Sequence, residues 1–371
     1  MKFLQASRES LIKTLSRVVG IVEKRNTMPI LSNILIKKEG SKLFFITTDI
    51  DVQMMVHVDF GYYGDSDIMS TTVGARKFLE ILKALPEMSD VILELSSGKI
   101  NILSLKSRFS LQTLDANEFP IVACDNNWDI SLDLPQKDFR NLLNMVYFSM
   151  AQQDIRYYLN GMLLVFDNGK IIAVATDGHR LSYSCIETDN FTGYKKIIIP
   201  RKTVLELQRL LQDSDEKIFL EVSNTQIRFC FPDTEFISKL VEGKFPDFTK
   251  VIPVDYHRKF YIDRDILQGA LMRVAILTND KFKGVKFNLS KNSLKISSSN
   301  SDHEEAHEDL EIDYEYESFD VGFNVNYLLD IIANVKSDSL IWFVNPDSNS
   351  SALITVPDNN NFKYVVMPMR I

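Results

Sequence analysis

Apolar residues recur at helical spacing in three places: Leu11, Leu15, Val18 and Val19; Phe139, Leu142, Leu143 and Val146; Leu267, Ala270, Leu271 and Val274. Positions three and four apart share one helix face, so each set predicts an amphipathic helix. Each set follows a residue suited to a helix start, Ser7, Pro135 or Asp263. Those starts are spaced by about 128 residues, and such a fixed period is the mark of an internal repeat. Strand-like runs follow at 30–36, 161–166 and 284–289.

A second triple lies further along: GARKFLEILKAL around Arg76, PRKTVLELQRLL around Arg201 and NVNYLLDIIANV around Val325. These also read as helices, the last with a stripe of Leu328, Ile331, Ile332 and Val335. A third triple closes each unit, SRFSLQTLDANEFP, TEFISKLVEGKFPDF and NNFKYVVMPMRI. Between them, runs such as 91–95, 218–222 and 340–344 alternate with period two and predict strands. The expected fold is α+β: three tandem similar domains at 1–125, 126–253 and 254–371, each with two helices and about eight strands. No low-complexity linker separates them.

The helix-then-strands pattern occurs twice per unit, and similar half-units related by a constant rotation close into rings. Basic residues collect on the polar sides of the helices, as with Lys13, Arg17, Lys24, Arg25, Arg76, Lys77, Lys83, Arg140, Arg201, Lys202 and Arg209. The expectation is therefore helices inside and sheets outside. Helices packed at about 9 Å and about 11 Å thick leave a hole of roughly 6 Å when six form a circle, and roughly 23 Å when twelve do. One chain is too small to surround a duplex, and a dimer is large enough.

The chain has 371 residues and a net charge of −8. Acidity argues against nucleic acid, but a local basic surface on an acidic body overrides it. Three dispersed cysteines, Cys124, Cys185 and Cys230, form no CxxC pair and read as small buried hydrophobes. The N-terminus has no signal-peptide core, and no apolar run reaches the ~18 residues of a membrane span. A cytoplasmic location is expected, with no membrane partner.

Two stretches imitate catalytic motifs. His303-Glu304-Glu305-Ala306-His307 matches HExxH, whose chemistry needs both histidines on one helical face. The repeat register instead makes this stretch strand-like, so no metal site is expected. Asp177, His179 and Ser182 have the residue types of a hydrolase triad, but no GxSxG elbow accompanies them, and Asp177-Gly178 reads as a turn. No Walker A loop is present. No catalytic residue and no cofactor is expected.

TTVGARKFLEIL, QDIRYYLNGMLL, ATDGHRLS, IIPRKTVLEL, SKLVEGKFPDF, GFNVNYLLDII and YVVMPMRI together closely resemble the bacterial DNA polymerase III beta subunit family, the sliding clamps, over nearly the whole chain. The resemblance implies a non-enzymatic processivity factor. It implies a head-to-tail homodimeric ring around double-stranded DNA, opened by an ATP-driven clamp loader. The ring tethers the DNA polymerase III catalytic subunit and other polymerases or repair proteins through short motifs. It also implies a peptide pocket between domains 2 and 3, made by Arg156, Leu159, Thr176, Gly178, His179, Arg180, Leu181, Pro246, Val251, Asn324, Tyr327, Val366, Met367, Pro368, Met369 and Arg370. Sequence-independent DNA contacts are implied at Arg25, Arg76, Gln153, Tyr157, Tyr158, Arg201, Lys202 and Lys250. At the dimer joint, Lys106, Arg108, Phe109 and Leu111 are implied to meet Ile276, Leu277, Glu304 and Glu305. Lys250 and Asn349 depart from the expected Arg and small apolar residue. The rival readings are a hydrolase built on Asp177 and His179, and a peptide-binding scaffold without DNA.

Overall fold

A computed structural model describes residues 2–23, 28–40, 42–60, 70–188, 191–254, 256, 258–347, 350–357 and 359–370. The first repeat forms β1 (Lys2–Ser7), α1 (Arg8–Val18), β2 (Asn33–Glu39), β3 (Lys42–Thr48), β4 (Val52–Val58), β5 (Ser70–Gly74), α2 (Ala75–Ala84), β6 (Asp90–Ser96), β7 (Lys99–Ser104) and β8 (Ser107–Gln112). The second forms β9 (Ile130–Pro135), α3 (Gln136–Asn144), β10 (Gly161–Asp167), β11 (Lys170–Thr176), β12 (Arg180–Glu187), β13 (Tyr194–Pro200), α4 (Arg201–Leu210), β14 (Lys217–Val222), β15 (Gln226–Cys230) and β16 (Thr234–Lys239). The third forms β17 (Arg258–Asp263), α5 (Arg264–Ala275), β18 (Gly284–Ser290), β19 (Ser293–Ser299), β20 (Glu305–Glu311), β21 (Phe319–Asn324), α6 (Val325–Asn334), β22 (Ser339–Val344), β23 (Ala352–Val356) and β24 (Asn359–Val366). Among the described residues, two α-helices and eight strands per repeat, in the same order each time, match the α+β expectation.

By internal packing the chain divides into two units, 1–136 with 205–240, and 137–204 with 241–371. The first contains an eight-stranded sheet of order β5-β2-β3-β4-β16-β15-β14-β9 and a four-stranded sheet β1-β6-β7-β8. The strand β4 from the first repeat pairs antiparallel with β16 from the second, Val52 opposite Ser238. Arg17 and Asp233 form an ion pair beside this junction, and Lys239 reaches Asp51 at 3.1 Å. Two of the basic helix residues are thus engaged within the unit, since Arg209 also pairs with Glu206. Ser7 caps α1 by accepting from Ser10 N–H, and α1 buries Leu11, Leu15 and Val18.

The second unit repeats the arrangement with β13-β10-β11-β12-β24-β23-β22-β17 and β20-β19-β18-β21. Here β12 pairs antiparallel with β24, Arg180 opposite Val366. Its core has an aromatic centre. Trp342 stacks on Phe260 at 5.8 Å and meets Phe287 at 5.6 Å and Phe323 at 5.9 Å. The helices α5 and α6 add Leu267, Leu271, Val274, Leu328, Ile331 and Ile332 to this cluster. Asp263 caps α5, its Oδ1 accepting from Ile266 N–H at 2.9 Å.

Two local expectations change, and the strand-like reading of 303–307 holds. The run 30–36 is strand only from Asn33, because Pro29–Ser32 forms a 3-10 turn with proline at its start, where a missing N–H costs nothing. Cys124 is exposed and Cys185 and Cys230 are half-buried. Cys124 lies in the connection between β8 and β9, where no strand face draws it inward. The HExxH stretch holds no helix: His303 has φ +61° and precedes β20, in which His307 faces Ser297 across the ladder. No helix among the described residues is long and apolar enough to cross a membrane.

Candidate functional site

The turn between β11 and β12 is built by side chains that satisfy its backbone. Thr176 Oγ1 donates to Arg180 O at 2.5 Å and accepts from Gly178 N–H at 3.1 Å. Asp177 Oδ1 accepts from His179 N–H at 2.9 Å and Arg180 N–H at 3.1 Å. Gly178 sits at φ +90°, which a side chain rarely permits. This carboxylate is therefore a turn-maker rather than the third member of a triad. Ser182 is buried, its hydroxyl bonded to that of Ser149 at 2.6 Å, and His179 stacks on Tyr327 at 6.5 Å.

Arg180 anchors this turn to α6. It is only 9% exposed. Its Nε donates to Asp177 at 3.1 Å, Nη1 to Asp330 at 2.6 Å and Nη2 to Phe148 O at 2.6 Å. Its guanidinium lies 4.4 Å from the Tyr327 ring centre. Burial alone would lower its pKa, but Tyr364, Asp330 and Asp177 raise it above the usual arginine value. A buried cation needs this degree of pairing.

Beside the turn lies a cavity of about 220 Å³. Nine expected residues line it: Arg156, Leu159, Thr176, Gly178, Arg180, Leu181, Pro246, Val251 and Met367. Phe245, Phe248 and Val365 complete the walls. Period two runs through β24: Phe362, Tyr364 and Val366 alternate into the α5–α6 core, which leaves Val365 facing the other way with Leu353. The expected Val366 is thus placed on the opposite face of β24. Phe245 and Phe248 stand in the KFPDF run, whose two phenylalanines around Pro246-Asp247 were the available signal.

The remaining expected pocket residues lie outside the lining. Asn324 caps α6, accepting from Asn326 N–H at 2.9 Å. Tyr327 gives its carbonyl to Tyr364 OH at 2.9 Å. After Val366 the tail leaves the sheet: Met367 N–H donates to His179 O at 2.9 Å, and Met369 bridges to Gly322. Pro368 lies half-buried between them and Arg370 is exposed. Asn349 lies outside the described residues.

Of the expected DNA-facing residues in the same unit, Gln153 is exposed at φ +56° and Tyr157 is 57% exposed. Tyr157 meets half-buried Tyr158 edge-on at 5.9 Å. Arg201 is partly buried, with Nη1 donating to Met150 O at 3.3 Å, and Lys202 is also partly buried. Lys250 is exposed and pairs with Asp247 at 3.6 Å. Arg76 belongs to the first unit, where it donates to Val22 O while its buried Nε has no hydrogen-bond partner among the described residues. Arg25 lies outside the described residues.

The expected joint residues lie on two sheet edges. Phe109 and Leu111 are on β8, with Lys106 and Arg108 exposed beside them. Glu305 opens β20, which follows Glu304, and both are exposed. Ile276, at the end of α5, is 76% exposed, and Leu277 is half-buried. Among the described residues, no group of three or more His, Cys, Asp or Glu side chains is placed to hold a metal ion.

Family models described as the N-terminal, central and C-terminal domains of the DNA polymerase III beta subunit match residues 1–123, 133–247 and 249–370. The chain is 39% identical to the beta sliding clamp of Pseudomonas aeruginosa over 98% of both chains, and 38% identical to that of Escherichia coli K12 over 100% of both. Its structure superposes on a P. aeruginosa sliding clamp solved with griselimycin bound, with a TM-score of 0.93 at 38% identity and full coverage of both chains. Caulobacter crescentus pol III beta gives 0.91 at 33% identity, again covering both chains fully.

Proposed function

The chain belongs to the DNA polymerase III beta subunit family, and from that membership we propose that it encircles duplex DNA as a head-to-tail homodimer and tethers a polymerase by a linear peptide. It is a sliding clamp, a non-catalytic processivity subunit whose partners are DNA and polymerases. The ring, the clamp loader that opens it and the peptide pocket belong to the proposal, as do a cytoplasmic location and domains at 1–125, 126–253 and 254–371.

The observation that carries the ring is a rule of strand order. The fourth strand of one repeat pairs antiparallel with the eighth strand of the next, as β4 with β16 and β12 with β24. Applying the rule once more leaves β20 as a fourth strand and β8 as an eighth strand, each at the edge of a four-stranded sheet. Exposed edges of this kind are templates for pairing. A second copy of the chain supplies the missing partner in head-to-tail sense. Charge agrees: Lys106 precedes β8 and Arg108 lies within it, while β20 carries Glu305, Glu308, Asp309 and Glu311.

For the pocket, support comes from an apolar lining beside a turn whose backbone is already satisfied. An extended peptide with apolar anchors fits such a site. The test of the ring is retention on nicked circular DNA, with a clamp loader and ATP supplied. Retention lost on linearising the circle is expected. Equal retention on linear and circular DNA would overturn the reading and favour a scaffold.

A further inference from the structure

One wall of the cavity comes from a loop rather than from the sheet. Residues 152–158 loop out between Ala151 and Leu159, just ahead of β10, and Ala151 N–H donates to Leu159 O at 3.0 Å across the neck. Asn160 ties the loop internally. Its Oδ1 accepts from Asp154 N–H at 2.9 Å, and its Nδ2 donates to Asp154 O at 2.8 Å. Both backbone polar groups of Asp154 are thereby fixed.

The Asp154 carboxylate accepts from Arg156 three times, from N at 2.8 Å, Nε at 3.0 Å and Nη2 at 2.8 Å. A guanidinium fork on a carboxylate sets the plane of the group as well as its position. Held this way, Arg156 turns its Nη1–Nη2 edge toward Gly178. A Cβ at Gly178 would meet Nη2 at 3.0 Å and Nη1 at 3.1 Å. Nη2 also reaches Asp177 O at 3.3 Å. The Nη1 donors have no hydrogen-bond acceptor among the described residues.

We propose that Asp154 is a positioning residue: it holds the Arg156 guanidinium as a wall of the cavity and offers its Nη1 edge to a hydrogen-bond acceptor on a bound linear peptide. The proposal deepens the peptide-binding reading above and rests on it. The Arg156 and Asp154 side chains are 45% and 21% exposed, and a surface ion pair contributes little to fold stability. What the pair supplies is orientation. An unpaired arginine explores many rotamers, which a ligand then has to freeze; the pair freezes them beforehand. The glycine at 178 fits the same account, since any side chain there would displace the guanidinium.

The experiment is a double-mutant cycle on the full chain. Fluorescence anisotropy is read with a fluorescein-labelled synthetic peptide carrying the clamp-binding segment of the replicative polymerase. Asp154→Ala and Arg156→Ala are each expected to weaken binding by about five- to tenfold, and the double variant by no more than about twofold beyond Arg156→Ala alone. A merely structural role for Asp154 predicts losses that multiply, and that result overturns the proposal. So does wild-type affinity in Asp154→Ala. Asp154→Asn keeps an acceptor but drops the charge, and serves if the alanine variant folds poorly; an intermediate loss is expected, and undiminished affinity counts against the proposal. If Met367→Ala with Pro368→Ala also leaves affinity unchanged, the peptide binds elsewhere and the pocket reading falls with the proposal.

Discussion

Gln53 Oε1 accepts a hydrogen bond from the Val122 backbone N–H at 2.9 Å, at the place in the first repeat where the second presents Leu181 to its cavity. The two turns are otherwise alike. Thr48 Oγ1 donates to Val52 O at 2.9 Å, and Asp49 Oδ1 accepts from Asp51 and Val52 N–H at 3.0 and 2.7 Å. The same bonds recur at Thr176 and Asp177. Gln53 is buried, so Gln53→Leu strands the Val122 N–H. A loss of about 1–3 kcal/mol is expected, read as a lower midpoint of thermal unfolding. An unchanged midpoint would show that water replaces the bond.

Gly161 opens β10 opposite Pro200, which has no N–H to give. A Cβ at Gly161 would sit 2.5 Å from Ile199 O, a backbone atom with little room to retreat. Gly161→Ala is expected to cost about 1–3 kcal/mol by forcing β10 and β13 apart. Chemical denaturation measures it, and a stability equal to wild type would mean that the strands absorb the methyl group.

Hydrogen bonds from the Arg156 side chain and backbone hold the Asp154 carboxyl down to about 2. A depressed carboxylate keeps its ion pair above the ordinary range of ~4 and loses it as pH falls through the folded value. The affinity ratio between wild type and Asp154→Asn is therefore expected to stay constant from about pH 5 to 8. A ratio that changes within that window would show that Asp154 titrates there.

Met367 is exposed at the cavity and Pro368 follows where the tail leaves β24. Met367→Ala with Pro368→Ala is expected to weaken peptide binding by about tenfold, roughly 1.4 kcal/mol, without dissociating the proposed dimer. Anisotropy and sedimentation on the same sample separate the two effects.

Phe109 and Leu111 are the apolar residues of the β8 edge. Placing two carboxylates there, with Phe109→Asp and Leu111→Asp, sets like charges against the acidic β20. Sedimentation at low micromolar concentration should find monomer. A persistent dimer would put the joint elsewhere.

Much of this was legible in the sequence because periods of 3.6 and 2 were repeated three times, and each copy checked the others. The boundaries of α5 and β18 follow from Leu267, Ala270, Leu271 and Val274 and the run after Gly284. What escaped depends on which face a residue takes or on distant bonds. Val366 and Val365 are adjacent and equally apolar, and only the sheet register decides which meets the cavity. Nothing local marks Asp154 as the partner of Arg156, because the fork depends on the Asn160 bonds that fold the loop back. Arg17 reads as a solvated helix cation until Asp233, far away in sequence, arrives beside it.

The pairing of β4 with β16, and of β12 with β24, joins strands that belong to one covalent chain. When such a seam frays, its two sides remain tethered, and the strands meet again at an effective concentration near millimolar whatever the amount of protein. A seam between β20 and β8 of separate chains is tethered only through the second seam of the same kind. In the proposed dimer, then, four seams are backed by the covalent chain and two only by each other: one that opens alone reseals at a rate independent of dilution, and dilution separates the chains only when both are open, so the same edge chemistry makes permanent joints in one place and a doorway in the other.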